Sequence, residues 1–215
     1  MKLFMYDYEQ CDPKRCSGQR LYKRNLLEKI PITRPFAGIL LSSEGTFYLS
    51  QADIALAAQR GLGVVDCSWN EILNHNSVPV KSLKCRNHRR LPFLVAANTV
   101  NYGKPMHLNC AEALIAGLYM LDQVEMAQKL SNEIEYGAEF LRINFDSLER
   151  YKGCVDSIQV EKAEKYVIEH MGDKDVVDQE QEEEFAEQEE VDYDAIWARV
   201  DQKRRLGDNI EGESQ

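Results

Sequence analysis

Short apolar runs alternate with amphipathic stretches along most of the chain. The runs Lys2–Tyr8, Phe36–Ser42 and Leu62–Ser68 are bounded by turn residues, which is typical of buried strands. Leu91–Ala97, which ends in two alanines, is predicted to be a further buried strand. Because the predicted strands alternate with helical patterns, the chain is expected to form an α/β sheet that is parallel at its centre.

Helical periodicity appears between and after these strands. Two helices begin with a capping-box pattern, in which a Ser or Asn is followed three positions later by an acidic residue. We expect helices over residues 50–60, from residue 109 onward, over 124–132 and over 134–151, with one or two helical turns at 69–75. The two capping pairs are Ser50 with Asp53 and Asn109 with Glu112.

Two loops follow predicted strands and carry polar or small residues. Asp66–Trp69 follows one strand, and Asn98–Met106, which contains Gly103, follows another. In open α/β sheets, ligands bind at the carboxyl ends of the parallel strands. The sequence therefore predicts that both loops lie at one ligand-binding edge.

Charge is distributed very unevenly along the chain. The last 45 residues, Met171–Gln215, contain 16 acidic and 5 basic residues, so they account for the net charge of -10. We expect residues 156–215 to be an acidic, largely disordered tail and 36–155 to be the main domain. Residues 1–35, with part of 36–80, are expected to form a small N-terminal part. Because the body is near neutral, the acidic total does not exclude an RNA substrate.

The six cysteines are scattered, and no apolar run approaches the ~20 residues of a membrane span. No signal peptide is recognised, so we expect a reduced, cytoplasmic protein, with the nucleus as a further location and no membrane association. Cys11 and Cys16 could form half of a metal site, but no matching second pair is present. Alternatively, this segment forms a turn whose backbone N–H groups donate hydrogen bonds to a carboxylate or phosphate. We expect no bound metal.

Basic residues cluster in two places, within residues 14–34 and within residues 81–90. One interpretation is an ordinary solvated surface, and the other, which we favour, is a site for a polyanion such as RNA. The signatures of P-loop nucleotide hydrolysis, of classical dinucleotide binding and of H-E-x-x-H metalloproteases do not occur in the sequence. The RNA-binding candidates are Lys81, Lys84, Arg86, Arg89 and Arg90.

A series of motifs resembles one known family in order and in spacing. The motifs are CDPKRCSG, LSQAD, GLGVVDCSW, RLPFLVAANTVNYGKP and LNCAEAL, and the resemblance covers about Lys2–Tyr151. The family is that of the ribosome-biogenesis enzymes that place a 3-amino-3-carboxypropyl group on 18S rRNA. The resemblance implies a SPOUT-like α/β fold with a deep C-terminal trefoil knot, and a protein that acts as a monomer on the small-subunit pre-ribosome.

The resemblance also implies a reaction and its site. The aminocarboxypropyl group of S-adenosylmethionine is transferred to N3 of an N1-methylpseudouridine, and 5′-methylthioadenosine is released. The backbone near Leu91 and Met106 is expected to contact adenine, and Val65 to contact the ribose. Ser17 is expected beside the methionine carboxylate, and Trp69 against the methyl group, so that the aminocarboxypropyl carbon faces the RNA.

Asp66 is the candidate for orienting or accepting the N3 proton. Glu112 is the second candidate, although helix capping also explains its position. Two alternatives to this function stay open. The first is a SPOUT-type RNA methyltransferase, and the second is a non-enzymatic, metal-binding pre-ribosome factor that uses the CDPKRC segment and the acidic tail.

Overall fold

The computed structural model describes residues 1–12, 16–66 and 83–170, and every element below lies in the first of two compact units, Met1–Glu169. Strands and helices are each numbered in chain order. The strands are β1 (Leu3–Asp7), β2 (Glu28–Ile30), β3 (Ile39–Leu41), β4 (Phe47–Tyr48), β5 (Leu62–Asp66) and β6 (His88–Arg90). The helices are α1 (Ser17–Lys23), α2 (Ile54–Arg60), α3 (Cys110–Met120), α4 (Val124–Ser131), α5 (Gly137–Ile143), α6 (Phe145–Lys152) and α7 (Ser157–Glu169), with a short 3₁₀ turn at Gln51–Asp53 before α2.

The described strands form one parallel sheet in the order β2-β1-β5-β3-β6-β4. This confirms the predicted α/β class with a parallel centre. β1 and β5 pair along their whole length, so that Asp7 lies beside Asp66. Because all the strands run in one direction, their carboxyl ends meet at the same edge, and this edge is where the candidate site lies.

Side chains alternate between the two faces of the sheet, as the period of a strand requires. In β1, Leu3 and Met5 point into the main core, whereas Phe4 and Tyr6 belong to a smaller cluster on the opposite face. Helix α3 packs on the main-core face and is almost entirely buried. A Cβ atom at Gly117 would lie 2.9 Å from a Leu41 methyl carbon, so this glycine allows the helix to approach the sheet closely.

The predicted strand at Leu91–Ala97 is wrong, although the segment is as buried as predicted. Leu94, Ala96 and Ala97 are almost completely excluded from solvent, but the described part of the sheet ends at Arg90 and does not include them. The segment forms a single antiparallel bridge, between Val95 and Pro105. The apolar residues of this segment therefore indicate that it is buried, but they do not indicate that it pairs with a neighbouring strand.

The physical reason is that helix side chains, instead of a neighbouring strand, pair with this backbone. Asn144 accepts from the Val95 N–H at 2.8 Å and donates to the Val95 carbonyl at 2.8 Å. Glu164 accepts from the Phe93 N–H at 2.8 Å, and the Tyr151 hydroxyl donates to the Phe93 carbonyl at 3.1 Å. Buried backbone groups need partners, and these side chains supply them.

Asn144 also explains why the helix predicted over 134–151 is divided into α5 and α6. Its side-chain amide donates to the Phe140 carbonyl at 2.9 Å as well as to Val95, and its backbone, with a φ of -106° and a ψ of 7°, departs from helical geometry although its N–H and carbonyl still pair with Phe140 and Leu148. Side chains of this type compete with helix continuation. The helices predicted from residues 50 and 109 and over 124–132 are present, the first through the 3₁₀ turn and α2.

Three further differences concern elements that are short or that depend on long-range packing. α1 begins inside the CDPKRCSG segment, at Ser17, where a turn was considered, and β6 lies inside the basic segment 81–90, for which no strand was predicted. Residues 157–169 form α7, with Val160 fully buried, whereas the acidic tail was expected to begin at residue 156. The helical turns predicted at 69–75 lie outside the described residues.

Among the described residues, none of the helices combines the length and the apolar character needed to cross a bilayer.

Candidate functional site

A cavity of about 750 Å³ opens at the carboxyl edge of the sheet. Its walls come from the ends of β3, β5 and β6, the first turn of α1, the start of α3 and the loop that follows Ala97. Ligand-binding clefts commonly have volumes of roughly 300–1,000 Å³. The cavity is therefore large enough for a nucleoside-sized molecule.

Five of the site residues expected from sequence line this one cavity. They come from α1, the end of β5, the segment after β6 and the loop before α3, which are far apart in sequence. Trp69, which was expected to complete the site, lies outside the described residues. The five residues are Ser17, Val65, Asp66, Leu91 and Met106.

The loop from Asn98 to Met106 has an unusual backbone where it borders the cavity. Gly103 has a φ of 76°, and Met106 has a φ of 62°. Residues other than glycine rarely adopt positive φ values of this kind. The Met106 N–H donates to the Leu94 carbonyl at 2.8 Å, and the Gly103 N–H donates to the Ala96 carbonyl at 2.8 Å. The loop is thus folded back onto the buried segment, and the strained Met106 is held at the cavity wall.

Glu112, at the start of α3, holds the first residues of this loop. One of its carboxylate oxygens accepts from the N–H groups of Ala97 at 2.7 Å and Asn98 at 2.8 Å. The other accepts from the Asn98 side-chain amide at 2.7 Å and from the Asn109 N–H at 2.9 Å. Burial raises the pKa of Glu112 above its usual range, although these four donors oppose the shift. The predicted helix cap is confirmed, and the same carboxylate also fixes the loop.

Asp66 is a buried carboxylate surrounded by thiols. The Cys16 thiol donates to one oxygen at 2.9 Å, and the Cys110 thiol donates to the other at 3.5 Å. Cys11 belongs to the same cluster: its hydrogen bond with Cys16, its burial and the nearby carboxylate together raise the pKa of Cys11. At 3 % exposure, Asp66 still borders the cavity, so its carboxylate is accessible to a bound molecule.

Ser17 connects two walls of the cavity. Its hydroxyl oxygen accepts from the Ala111 N–H in the first turn of α3 at 3.2 Å. Asn109, the residue that caps α3, donates to the hydroxyl of Tyr136, which lines the cavity nearby. The starts of α1 and α3 are therefore held together at one side of the cavity.

The predicted RNA-binding residues do not form one uniform surface. Arg90 lines the cavity, and its guanidinium lies 4.0 Å from the ring centre of Tyr48. Arg89 instead pairs with Asp53, at 2.8 Å, which neutralises its charge. Lys84 and Arg86 are exposed, and Lys81 lies outside the described residues.

Sequence reasoning did not identify several residues that line the cavity. Tyr136 was not singled out, because it becomes part of the site only through packing, whereas Arg20 was noted only as one member of the basic group within residues 14–34 and Asn101 only as part of the loop expected at the ligand edge. Asn98 carried a weak signal, since it follows an apolar run. The capping pair Asn109 and Glu112 was recognised, but not the hydrogen bonds from Glu112 to a loop fourteen and fifteen residues earlier.

Residues 1–31 match the family described as "Possible Fer4-like domain in RNase L inhibitor, RLI". An iron–sulfur cluster of the ferredoxin type requires four cysteine ligands. The matched segment contains only Cys11 and Cys16. The residues present therefore do not fit such a cluster, and no step of the chemistry is assigned to one.

Residues 39–168 match the family described as "Ribosome biogenesis protein, C-terminal". The 18S rRNA aminocarboxypropyltransferase of Saccharomyces cerevisiae is 38% identical over 165 residues, which are 77% of this chain and 52% of that protein. The chain thus spans about half the length of this curated relative, and 64% of the one from Schizosaccharomyces pombe.

Archaeal relatives are matched over almost their full length. The 16S rRNA aminocarboxypropyltransferase of Methanosphaera stadtmanae is 41% identical over 165 residues, which are 74% of this chain and 93% of that protein. Among solved structures, the SAM-dependent rRNA:acp-transferase Tsr3 from Vulcanisaeta distributa superposes with a TM-score of 0.63 at 28% identity. The match covers 77% of this chain and 97% of that one. The chain therefore belongs to the rRNA aminocarboxypropyltransferase family.

Proposed function

We propose that this protein transfers the 3-amino-3-carboxypropyl group of S-adenosylmethionine to small-subunit rRNA during ribosome biogenesis. The observation that carries the proposal is the cavity at the carboxyl edge of the sheet, which brings together residues from four of the five motifs in the family's series. Relatives with this activity in their names match most of the described chain. The expected acceptor is N3 of an N1-methylpseudouridine.

The cavity offers each part of S-adenosylmethionine a chemically suitable partner. Backbone groups near Leu91 and Met106 can hydrogen-bond adenine, because both residues line the wall where the loop folds back. Val65, at the end of β5, provides an apolar contact for the ribose. Ser17 and the nearby Arg20 offer a hydroxyl and a cation for the methionine carboxylate. Trp69 is proposed to cover the methyl group.

The reaction itself requires positioning more than activation. N3 of the nucleobase attacks the aminocarboxypropyl carbon bonded to sulfur, that carbon–sulfur bond breaks, and its electron pair stays on sulfur as methylthioadenosine leaves. The sulfonium is already a good leaving group, so the orientation of the cofactor decides which of its carbons reacts. The N3 proton must leave the base during the reaction.

Asp66 is proposed to orient or accept that proton. It is a carboxylate on the cavity wall, and hydrogen bonds from Cys16 and Cys110 hold both of its oxygens. The buried Glu112 is already bonded to four donors that hold the loop, which favours Asp66 for the proton role.

For the RNA face, Arg90 is the best-supported contact, because it combines exposure with a position at the cavity. Lys84 and Arg86 are proposed to bind phosphates nearby, and Lys81 belongs to the same basic segment. Arg89 is a weaker candidate, because its guanidinium is occupied by Asp53. The trefoil knot expected for a SPOUT-like fold is proposed for the C-terminal half, on the strength of the family membership. The chain is also proposed to act as a monomer.

The test is a mass spectrum of the nucleosides produced from small-subunit rRNA that lacks the final modification. We expect a gain of the aminocarboxypropyl mass on the N1-methylpseudouridine, with release of methylthioadenosine. A gain of a methyl group with S-adenosylhomocysteine would identify a methyltransferase instead. No product, while the protein binds neither cofactor nor rRNA, would contradict the proposal.

A second test concerns Asp66. Asp66→Asn keeps the size of the side chain but removes its capacity to accept a proton. We expect turnover to fall by about 10²-fold or more while cofactor affinity changes little. Near-normal turnover at unchanged cofactor affinity would exclude the proton role. Asp122→Asn, an exposed substitution after α3, is the matched control and should leave turnover unchanged.

A further inference from the structure

The thiol cluster around Asp66 has a property that the proposed transfer reaction does not use. A sulfur of Cys11, a sulfur of Cys16 and a carboxylate oxygen of Asp66 all lie within 4.8 Å of one another. Atoms that bind one zinc ion through bonds of 2.0–2.3 Å lie roughly 3.3–3.8 Å apart. The three ligand atoms are therefore close enough to surround a metal ion after small side-chain movements.

Two of these three side chains are positioned by regular elements, and Cys11 lies in the segment between β1 and α1. Asp66 ends β5, whose pairing with β1 fixes its position in the sheet. Cys16 is the N-cap of α1, and its backbone N–H donates to the Asp12 carbonyl at 2.9 Å. The positions of Cys16 and Asp66 are thus set by the fold, which lowers the cost of organising a metal site.

Neighbouring groups also suit a metal site, because good sites support their ligands with outer hydrogen bonds. The Cys110 thiol donates at 3.5 Å to one Asp66 oxygen, and the Cys16 thiol donates to the other. The Gln19 N–H donates to the Cys16 sulfur at 3.3 Å. The Asp66 oxygen that contacts Cys16 is therefore not the one that contacts Cys110.

The chemistry of the ligands selects the kind of ion. Two sulfurs and one carboxylate suit a borderline-soft divalent ion such as Zn²⁺, whereas Mg²⁺ and Ca²⁺ prefer oxygen ligands alone. Three protein ligands leave a fourth position open, and it faces the cavity, because Cys11, Cys16 and Asp66 all line it. We propose that Cys11, Cys16 and Asp66 bind one zinc-class divalent ion at the wall of the cavity.

This proposal shares Asp66 with the proposed transfer reaction, and a carboxylate that binds a divalent ion is a weaker proton acceptor, so metal binding is tested without the reaction. The protein is stripped of metal with a chelator, kept reduced with a phosphine and titrated with Co²⁺. Thiolate ligands give cobalt an intense ligand-to-metal charge-transfer band in the near ultraviolet. The carboxylates of the acidic tail give no such band, so they cannot imitate the site. We expect the band to saturate at one Co²⁺ per chain and to disappear on addition of Zn²⁺.

The variants Cys11→Ser and Cys16→Ser should abolish the band or weaken binding at least tenfold. Cys16→Ser is informative because serine remains a good N-cap, which preserves the start of α1. Cys85→Ser is the matched control, since Cys85 packs against the small cluster on the opposite face of the sheet. The charge-transfer band of this variant should equal that of the wild type. Circular dichroism and the unfolding midpoint verify that each variant is folded.

A measurement on the wild type covers the case in which the variants do not fold. We expect Zn²⁺ to protect Cys11 and Cys16 from alkylation by iodoacetamide and to leave the alkylation of Cys85 unchanged. Absence of the charge-transfer band together with absence of protection would overturn the proposal. Equal bands in the wild type and in folded Cys11→Ser and Cys16→Ser variants would overturn it as well.

Discussion

Two apolar segments of this protein, β5 and residues 91–97, are buried to a similar degree but are held in different ways. The backbone of β5 pairs with β1 on one side and β3 on the other, so its hydrogen bonds do not depend on particular side chains. The backbone of residues 91–97 pairs mainly with side chains of α3, α6 and α7 and with the turn between α5 and α6. Both segments end at the cavity.

The difference has a consequence for substitutions. In the sheet, almost any apolar side chain of suitable size preserves the hydrogen bonds of the strand. In the buried segment, loss of one polar side chain leaves several backbone groups without partners, and each unpaired buried group costs about 1–3 kcal/mol. We therefore expect the cavity wall at residues 91–106 to be more sensitive to distant polar substitutions than the wall formed by β5.

The largest effect is expected for Glu112→Ala, which removes the acceptor of four hydrogen bonds. Water from the adjoining cavity can satisfy part of this loss, so the free energy of unfolding should fall by about 3 kcal/mol. Urea denaturation followed by circular dichroism measures the change. Cofactor affinity, measured by calorimetry, should fall as well.

Glu125→Ala, at an exposed position of α4, is the control for Glu112→Ala and should change the free energy of unfolding by less than about 0.5 kcal/mol. A loss for Glu112→Ala that is no larger than this would show that the loop does not depend on the carboxylate.

Asn144→Ala should lower the free energy of unfolding by about 2 kcal/mol, since it leaves both polar groups of Val95 without a partner. Asn144→Asp separates shape from hydrogen bonding, because the two side chains have nearly the same size. Aspartate can accept from the Val95 N–H but cannot donate to the Val95 and Phe140 carbonyls.

We therefore expect Asn144→Asp to be at least as destabilising as Asn144→Ala in the same urea titration. Stability close to that of the wild type for the aspartate variant would mean that the donated hydrogen bonds contribute little. Asn132→Ala, at an exposed helix end, serves as the reference.

Glu164→Ala tests whether α7 supports the cavity wall. The substitution removes the acceptor for the Phe93 N–H and for the Tyr48 hydroxyl, whose pKa burial and this hydrogen bond raise to about 12. We expect a loss of about 1.5 kcal/mol in the free energy of unfolding. Glu164→Gln retains an acceptor for Phe93 and should lose much less, whereas equal losses for both variants would point to the charge instead of the hydrogen bonds.

The smallest effect is expected in the sheet, for the ion pair between Lys29 and Asp7 at 2.7 Å. Burial acts to raise the pKa of Asp7, but hydrogen bonds from Lys29 and from the Glu9 N–H outweigh it and hold the pKa below its usual 3.8. A lowered carboxyl pKa stabilises the fold above the usual value, and this stabilisation is lost as the pH falls through the lowered value.

Lys29→Ala should therefore cost about 0.5–1 kcal/mol at neutral pH, and the difference from the wild type should shrink below pH 3.8 as Asp7 takes up a proton. Thermal unfolding of both proteins across this pH range measures the difference in stability. A difference that does not change with pH would assign the loss to packing of the lysine stem.

Much of the fold could be predicted because the necessary information is local. β1, β3 and β5 are apolar runs with flanking turn residues, and α3 begins with a capping pair, Asn109 and Glu112, that is three residues apart. The resemblance also pointed to five of the residues that line the cavity. The short edge strands β2 and β4 were not predicted, since two or three residues carry too little periodicity to be recognised.

The sequence by itself determined the parallel α/β core, the capping of α3 and the set of motifs that marks the family. Only the tertiary structure decided how the segment after Leu91 satisfies its backbone, because Asn144 and Glu164 are about 50 and 70 residues away from their partners. The same holds for the cluster at Cys16, where sequence showed half of a possible metal site and the fold brought Asp66 to it from 50 residues away. Burial is encoded in the type of each residue, whereas the partner of a buried polar group depends on where the chain returns.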